Sequence, residues 1–141
     1  MSFTASARRI GDTLRHQVDV NHRHTIITDE PLQLGGTDAG PAPHELLPAT
    51  LASCIATMIS MYAERKGWQL SGFTVDVDYY QESVPRHFDV VVNLPDGLAP
   101  GEIEQLRRVA DSCPVRRAME AGFTFNEELR TAASENAALS A

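Results

Sequence analysis

The stretch between Pro43 and Gly67 sets the terms for the whole chain. Leu47, Leu51, Cys54, Ile55, Met58 and Tyr62 recur there at spacings of three and four, and Leu46, Ile59 and Met61 widen the stripe. The spacing predicts a helix over residues 43–66 with apolar residues around most of its circumference. Pro43 suits a first helical position, and Lys66-Gly67 supplies a basic last turn followed by a left-handed cap. Pro48 removes one backbone hydrogen bond and is expected to kink the first turns. A helix this apolar must be central, covered on several sides. Pro48, Thr50, Ser53, Thr57 and Ser60 interrupt the run and make it too polar to read as a membrane span.

The flanking segments supply the cover. Leu14, His16, Val18 and Val20 alternate with Arg15, Gln17 and Asp19, and Asn21-His22 leads into a second β-rich run, Arg23 to Thr28, which together read as a β-hairpin. From Asp29 to Pro43, three prolines and three glycines make a loop of fixed turns. After Trp68, residues 73–80 and 87–94 alternate with period two and suggest a second antiparallel pair. Pro100 opens a helix with the stripe Ile103, Leu106, Ala110 and Cys113, Pro114 starts a short helix closed by Gly122, and Phe123 to Phe125 reads as a last short strand. Strands, a buried helix, strands, two short helices and a strand make an α+β domain with antiparallel sheets.

The 141 residues fit one domain, read here as residues 1–130, with an Ala/Ser-rich tail over residues 131–141. An apolar fraction of 43% excludes disorder as the main reading, and a net charge of −7 offers no basic field for nucleic acid or an anionic membrane. Met1 to Ile10 lacks the apolar core of a signal peptide, so a cytoplasmic location is expected. In that reducing compartment the two cysteines, Cys54 and Cys113, make neither a disulfide framework nor a four-ligand zinc site, and any chemistry they carry is that of thiols.

No phosphate loop, dinucleotide fingerprint or serine nucleophile elbow is present. The five histidines form no tight ligand cluster, although His22 and His24 share one strand face, and no metal or cofactor is expected. Cys54 stands about three turns into the apolar helix among small neighbours, Ala52, Ser53 and Ala56, that would let a substrate approach. Free cysteine also packs well as a small hydrophobe, so position alone leaves both roles open. A second thiol at Cys113 makes chemistry more suggestive, because a reactive thiolate needs a partner to resolve its oxidised form.

The run Gly40-Pro41-Ala42-Pro43-His44-Glu45-Leu46-Leu47, then Ser53-Cys54, then Met61-Tyr62-Ala63-Glu64-Arg65-Lys66-Gly67-Trp68, resembles the OsmC/Ohr family of osmotically induced and organic-hydroperoxide-resistance proteins. Cys113-Pro114-Val115 matches that family's second cysteine element, and Gly35-Gly36 its loop before the helix. The resemblance implies an OsmC-like fold, an intertwined homodimer with the long helices at its centre, and a thiol peroxidase that reduces organic hydroperoxides in oxidative-stress defence. It implies that Cys54 attacks the peroxide, that Cys113 resolves the product into a disulfide, and that an external dithiol resets the pair. It also implies an arginine from the N-terminal strands, Arg15 with Arg23 in reserve, to hold the thiolate. The family's glutamate falls at His44 in this chain, which leaves Glu45, one residue late, as the acidic site candidate. The alternative is a non-catalytic OsmC-like dimer that binds a small apolar ligand and uses both cysteines for packing.

Overall fold

In the computed structural model, which describes residues 1–133, the apolar run forms a 21-residue helix, α1 (Leu46–Lys66), entered through a 3₁₀ turn at Pro43–Glu45 and closed by Gly67 at φ 70°. Leu51, Ile55, Ile59 and Ala63, each one turn apart, form its buried stripe. Leu47 and Met61 are exposed, so a single chain covers one face of a helix that is apolar on more than one. Pro48 does not interrupt α1, whose helical span runs unbroken through it. Pro48 is the third residue of α1, in the first turn, where an amide has no intrahelical partner to lose.

β4 (Thr74–Tyr80) and β5 (His87–Asn93) form an antiparallel hairpin in the register Val75↔Val92, Val77↔Val90 and Tyr79↔Phe88. That row is the apolar face turned to α1, whereas Thr74, Asp76, Asp78 and Tyr80 face outward. α2 (Pro100–Asp111) and α3 (Pro114–Ala121) pack on other sides of α1, and Leu106, Ala110 and Cys113 join the α1 stripe and Leu70 in the core. By length and composition Pro43–Lys66 would also suffice to cross a membrane, contrary to the expectation from its polar interruptions. Its buried stripe against β4, α2 and α3 is that of a core helix.

A second sheet precedes α1. β2 (His16–Val20) and β3 (His24–Thr28) are the expected hairpin, turned by Asn21 and His22 at φ 52° and 59°, a region that Asn and His enter more readily than most residues. β1 (Ala5–Arg9), which the sequence pattern did not announce, pairs antiparallel with β2. The linking loop is stapled by buried Asp29, whose carboxylate accepts the Thr37 hydroxyl at 2.6 Å and the amides of Glu30, Thr37 and Ala39 at 2.8, 3.1 and 3.0 Å.

Two further expectations fail. Residues 123–125 form no strand: Phe123 and Phe125 are exposed, and among the described residues no strand lies beside them to complete the ladder. Cys113 is not on α2, which ends at Asp111; it is the residue that caps the start of α3. The tail reading for residues 131–141 falls, from residue 134 onward, outside the described residues.

Candidate functional site

α1 carries Cys54 at the margin of its buried stripe, one residue before Ile55, so the thiol is half-buried beside Met58 rather than sealed in the core. Cys113 sits where the chain leaves α2 through Ser112 and enters α3 at Pro114, and it is fully buried. Packing α2 and α3 against α1 brings together two thiols that are 59 residues apart in sequence. Their side chains lie within hydrogen-bonding reach of one another, both reduced.

The electrostatics at Cys54 favour the neutral thiol. Burial pushes the Cys54 thiol above its ordinary range, and the hydrogen bond and like charge of Cys113 push the same way. One group acts in the opposite direction, the main-chain N–H of Val115 at the start of α3. Among the described residues no guanidinium or carboxylate is one of the groups acting on Cys54.

The other site candidates are placed elsewhere by the single chain. Glu45 is exposed and accepts the Ala42 amide at 3.2 Å, a local cap for the turn that enters α1. It precedes Cys54 by nine residues, about 13 Å along a helix axis. His44 sets its ring edge on Tyr79 at 5.7 Å, and Tyr79 stacks on Phe88 at 4.7 Å. Arg15, on the turn between β1 and β2, has its Nε buried without a hydrogen-bond partner, whereas Arg23 is exposed at the β2–β3 turn. Among the described residues no group of three or more His, Cys, Asp or Glu side chains converges as a metal site would require.

A groove that the sequence did not reveal is lined by residues of α1, β5 and α3. It has a volume of about 440 Å³ and apolar walls from Leu51, Phe88, Val90 and Met119. Leu51 is one turn before Cys54 on α1, and Met119 is one turn after Val115 on α3. Arg86, Arg116 and Glu120 give it polar margins, with Arg116 already paired to Asp111 at 2.6 Å and Glu120 at 2.7 Å. The available sequence signal was Cys113-Pro114: a proline at the first helical position fixes where α3 begins, and so which amides and side chains it aims back at α1.

A family profile described as OsmC-like protein matches residues 36–128. Solved structures agree in fold. A Psychrobacter arcticus protein named for osmotic stress induction and a detoxification response superposes with a TM-score of 0.68 at 26% identity, over 83% of this chain and 87% of that one. The organic hydroperoxide resistance protein OsmC of Legionella pneumophila superposes at 0.55 with 24% identity, covering 84% and 89% of the two chains. The organic hydroperoxide resistance protein OhrB of Bacillus subtilis does so at 0.53 with 19% identity, covering 86% and 93%. No curated protein matches the chain. With the profile spanning both cysteines and most of the fold, the chain belongs to the OsmC/Ohr family.

Proposed function

We propose that the protein is a thiol-dependent organic hydroperoxide reductase. The observation that carries this reading is the neighbouring pair of Cys54, half-buried on α1, and Cys113, fully buried at the start of α3, and the apolar groove between α1, β5 and α3 is the candidate place for the substrate's hydrocarbon part. A Cys54 thiolate attacks one oxygen of the peroxide bond, forms a sulfenic acid and expels an alkoxide that takes a proton to become the alcohol. The Cys113 sulfur then displaces water from the sulfenic acid, leaving a disulfide, and an external dithiol returns both cysteines to thiols while becoming a disulfide itself. Apolar walls reward burial of a hydrocarbon substituent at about 25 cal/mol per Å², so bulky organic hydroperoxides are preferred over hydrogen peroxide.

The working unit of this reading is a homodimer. The β1–β3 sheet, the exposed Leu47 and Met61 of α1, and the exposed Phe123 and Phe125 are apolar surfaces that one chain leaves uncovered. A dimer also answers the electrostatic problem at Cys54, because a thiol raised by burial needs a nearby cation to ionise. Arg15, with its buried and unpartnered Nε, is the candidate to serve Cys54 of the other copy. Glu45 is left as a cap with no direct role in this proposal.

The raised Cys54 thiol is also the observation that favours the second reading, an apolar-ligand-binding dimer with packing cysteines. One experiment separates the two. Purified protein treated with an organic hydroperoxide should lose two free thiols, with a mass lower by two hydrogens and no adduct. Cys54→Ser should abolish hydroperoxide consumption, and Cys113→Ala should permit one turnover and leave Cys54 as a sulfenic or higher acid. Consumption at the wild-type rate by both variants would make the cysteines structural and leave the binding reading.

A further inference from the structure

We propose that the external dithiol reaches one sulfur only: it attacks the Cys54 side of the disulfide, and Cys113 is the sulfur that leaves. The proposal rests on the disulfide of the peroxidase reading and adds the direction in which that bond is opened. Either sulfur of a disulfide is a chemically possible target, so access decides between them. Cys113 is 0% exposed and belongs to the buried core with Leu51, Ile55, Leu106 and Ala110. A second copy can add cover and cannot remove it, so Cys113 stays sealed in any assembly. Cys54 packs on that core from its margin and is half-buried, with exposed Thr50, Ser53 and Thr57 beside it on α1. The hydroperoxide must already reach Cys54 in this reading, so the reductant needs no second opening.

The corner that holds Cys113 is tied on both sides. Its amide donates to the Ala110 carbonyl at 3.3 Å, and its carbonyl accepts the Arg117 amide at 3.0 Å. Arg116 spans the corner from α3 back to Asp111, the last residue of α2, at 2.6 Å. A path to the Cys113 sulfur therefore requires lifting the junction of α2 and α3 off α1. Attack at Cys54 requires no such opening. A thiolate of the dithiol bonds to Cys54 Sγ, the bond to Cys113 breaks, and its electron pair leaves on the Cys113 sulfur, which takes a proton. The second thiolate of the reductant then attacks its own sulfur in the mixed disulfide and expels Cys54. Two electrons have passed from the dithiol, which ends as a disulfide, to the cysteine pair.

Glutathione tests the direction, because a monothiol stops at the mixed disulfide until a second molecule arrives. Oxidised protein is mixed briefly with glutathione, quenched with N-ethylmaleimide in acidic denaturant, and the adducts are located by peptide mass. Glutathione should be on Cys54 and maleimide on Cys113, in at least about tenfold excess over the reverse pattern. Glutathione on Cys113, or on both in comparable amounts, overturns the proposal. Diamide, which joins neighbouring thiols without any hydroperoxide, separates this outcome from the fate of the peroxidase reading. If diamide forms the disulfide and hydroperoxide does not, the peroxidase reading falls and glutathione still reports which sulfur is attacked. If neither forms it, there is no bond to reset and the proposal falls as well. A second measurement uses the reduced single-cysteine proteins and dithiodipyridine, itself a disulfide. In Cys54→Ala, the remaining Cys113 should react at a rate that climbs with urea below the unfolding transition, whereas Cys54 in Cys113→Ala should react at a rate nearly independent of it. A Cys113 that reacts without urea as fast as Cys54 would be within reach of the reductant, and the proposal would be lost.

Discussion

β4–β5 and β1–β3 are both antiparallel, and both have one apolar face. In the first, Val75, Val77, Phe88 and Val92 pack against the buried core around α1. In the second, the directly paired residues Ala7, Val18 and Ile26 share one face with Val20, His16 and His24, while Arg8, Gln17, Asp19 and Thr25 occupy the other beside Ile27, the polar ones joined through Asp19. The principal contacts of β1, β2 and β3 are with each other, and β1 is exposed along its whole length. Alternation along a strand therefore tells which face is apolar and leaves open which molecule covers it. The hairpin is finished by its own chain. The N-terminal sheet is an arm built to be finished by something else, and the proposed second copy is what the comparison calls for.

The largest effect that separates the two regions should come from the core side. Ile59 is fully buried at the meeting of α1 with its neighbours, and Ile59→Ala removes three buried carbons and leaves a cavity. A loss of about 2–5 kcal/mol in unfolding free energy is expected. Trp68, the single tryptophan, packs edge-on against Tyr62 at 5.7 Å beside α1, so its fluorescence reports this region and not the arm. Urea unfolding followed at Trp68 should show the full shift; a shift no larger than that of a surface substitution would deny α1 its central place.

The arm should respond next, and separately. A Cβ at Gly36 would collide with the Glu30 carbonyl, so Gly36→Ala must displace the loop that joins β3 to α1. We expect about 1–3 kcal/mol of destabilisation. It should appear as faster hydrogen exchange at Thr37 and Ala39, with the amides of Ile55 and Ile59 still protected. Equal loosening of both sets would mean that arm and core unfold as one unit.

What the sequence made legible follows the same division. α1 could be read because three- and four-residue spacing is a property of one segment, and the β2–β3 and β4–β5 hairpins because alternation is local too. β1 escaped because Ala5–Arg9 has almost no apolar alternation and is a strand only through its pairing with β2. Phe123–Phe125 misled for the converse reason, since it alternates but has no partner strand among the described residues. At the site, each cysteine was visible alone, while their approach depends on how α2 and α3 dock onto α1. Glu45 was assigned by its distance in sequence from Cys54, and a cap three residues away claimed its carboxylate first. The Val115 amide has no residue signature at all, because every residue but proline has one.

A milder perturbation of the arm needs no substitution. The Thr37 hydroxyl, followed by the Ala39, Glu30 and Thr37 amides, holds the Asp29 carboxyl down to about 2 against the opposing effect of burial. A carboxyl lowered in the folded state contributes stability above its ordinary value, and that contribution fades as pH falls through the folded value. Protection of the Thr37 and Ala39 amides should therefore decline between about pH 4 and pH 2, before the core amides follow. Asp29→Asn should show the weakened protection already at neutral pH, because its NH₂ would face donors, and should lose the acid dependence. An arm whose protection is independent of pH down to 2 would show that the staple does not hold it.

The smallest effect on the chain's own fold sharpens the comparison most. Ile26 is 38% exposed in the single chain, on the apolar face of the arm beside Val18. If that face meets only water, Ile26→Lys costs within about 0.5 kcal/mol, the usual range for a surface position, and changes nothing else. If a second copy covers it, the same substitution places an ammonium in a dry apolar contact and must break either the contact or its own solvation. Sedimentation should then show a wild-type dimer and a monomeric Ile26→Lys variant at the same concentration, with Trp68 fluorescence unchanged because α1 and its hairpin are intact. Arg8→Glu provides the control from the polar face, where the weak 3.7 Å pairing with Asp19 is solvent-exposed and its loss should leave the assembly alone. A dimer that survives Ile26→Lys but not Arg8→Glu would reverse the assignment of the two faces, and a wild-type monomer at every concentration would leave the arm without the partner its sequence pattern requires.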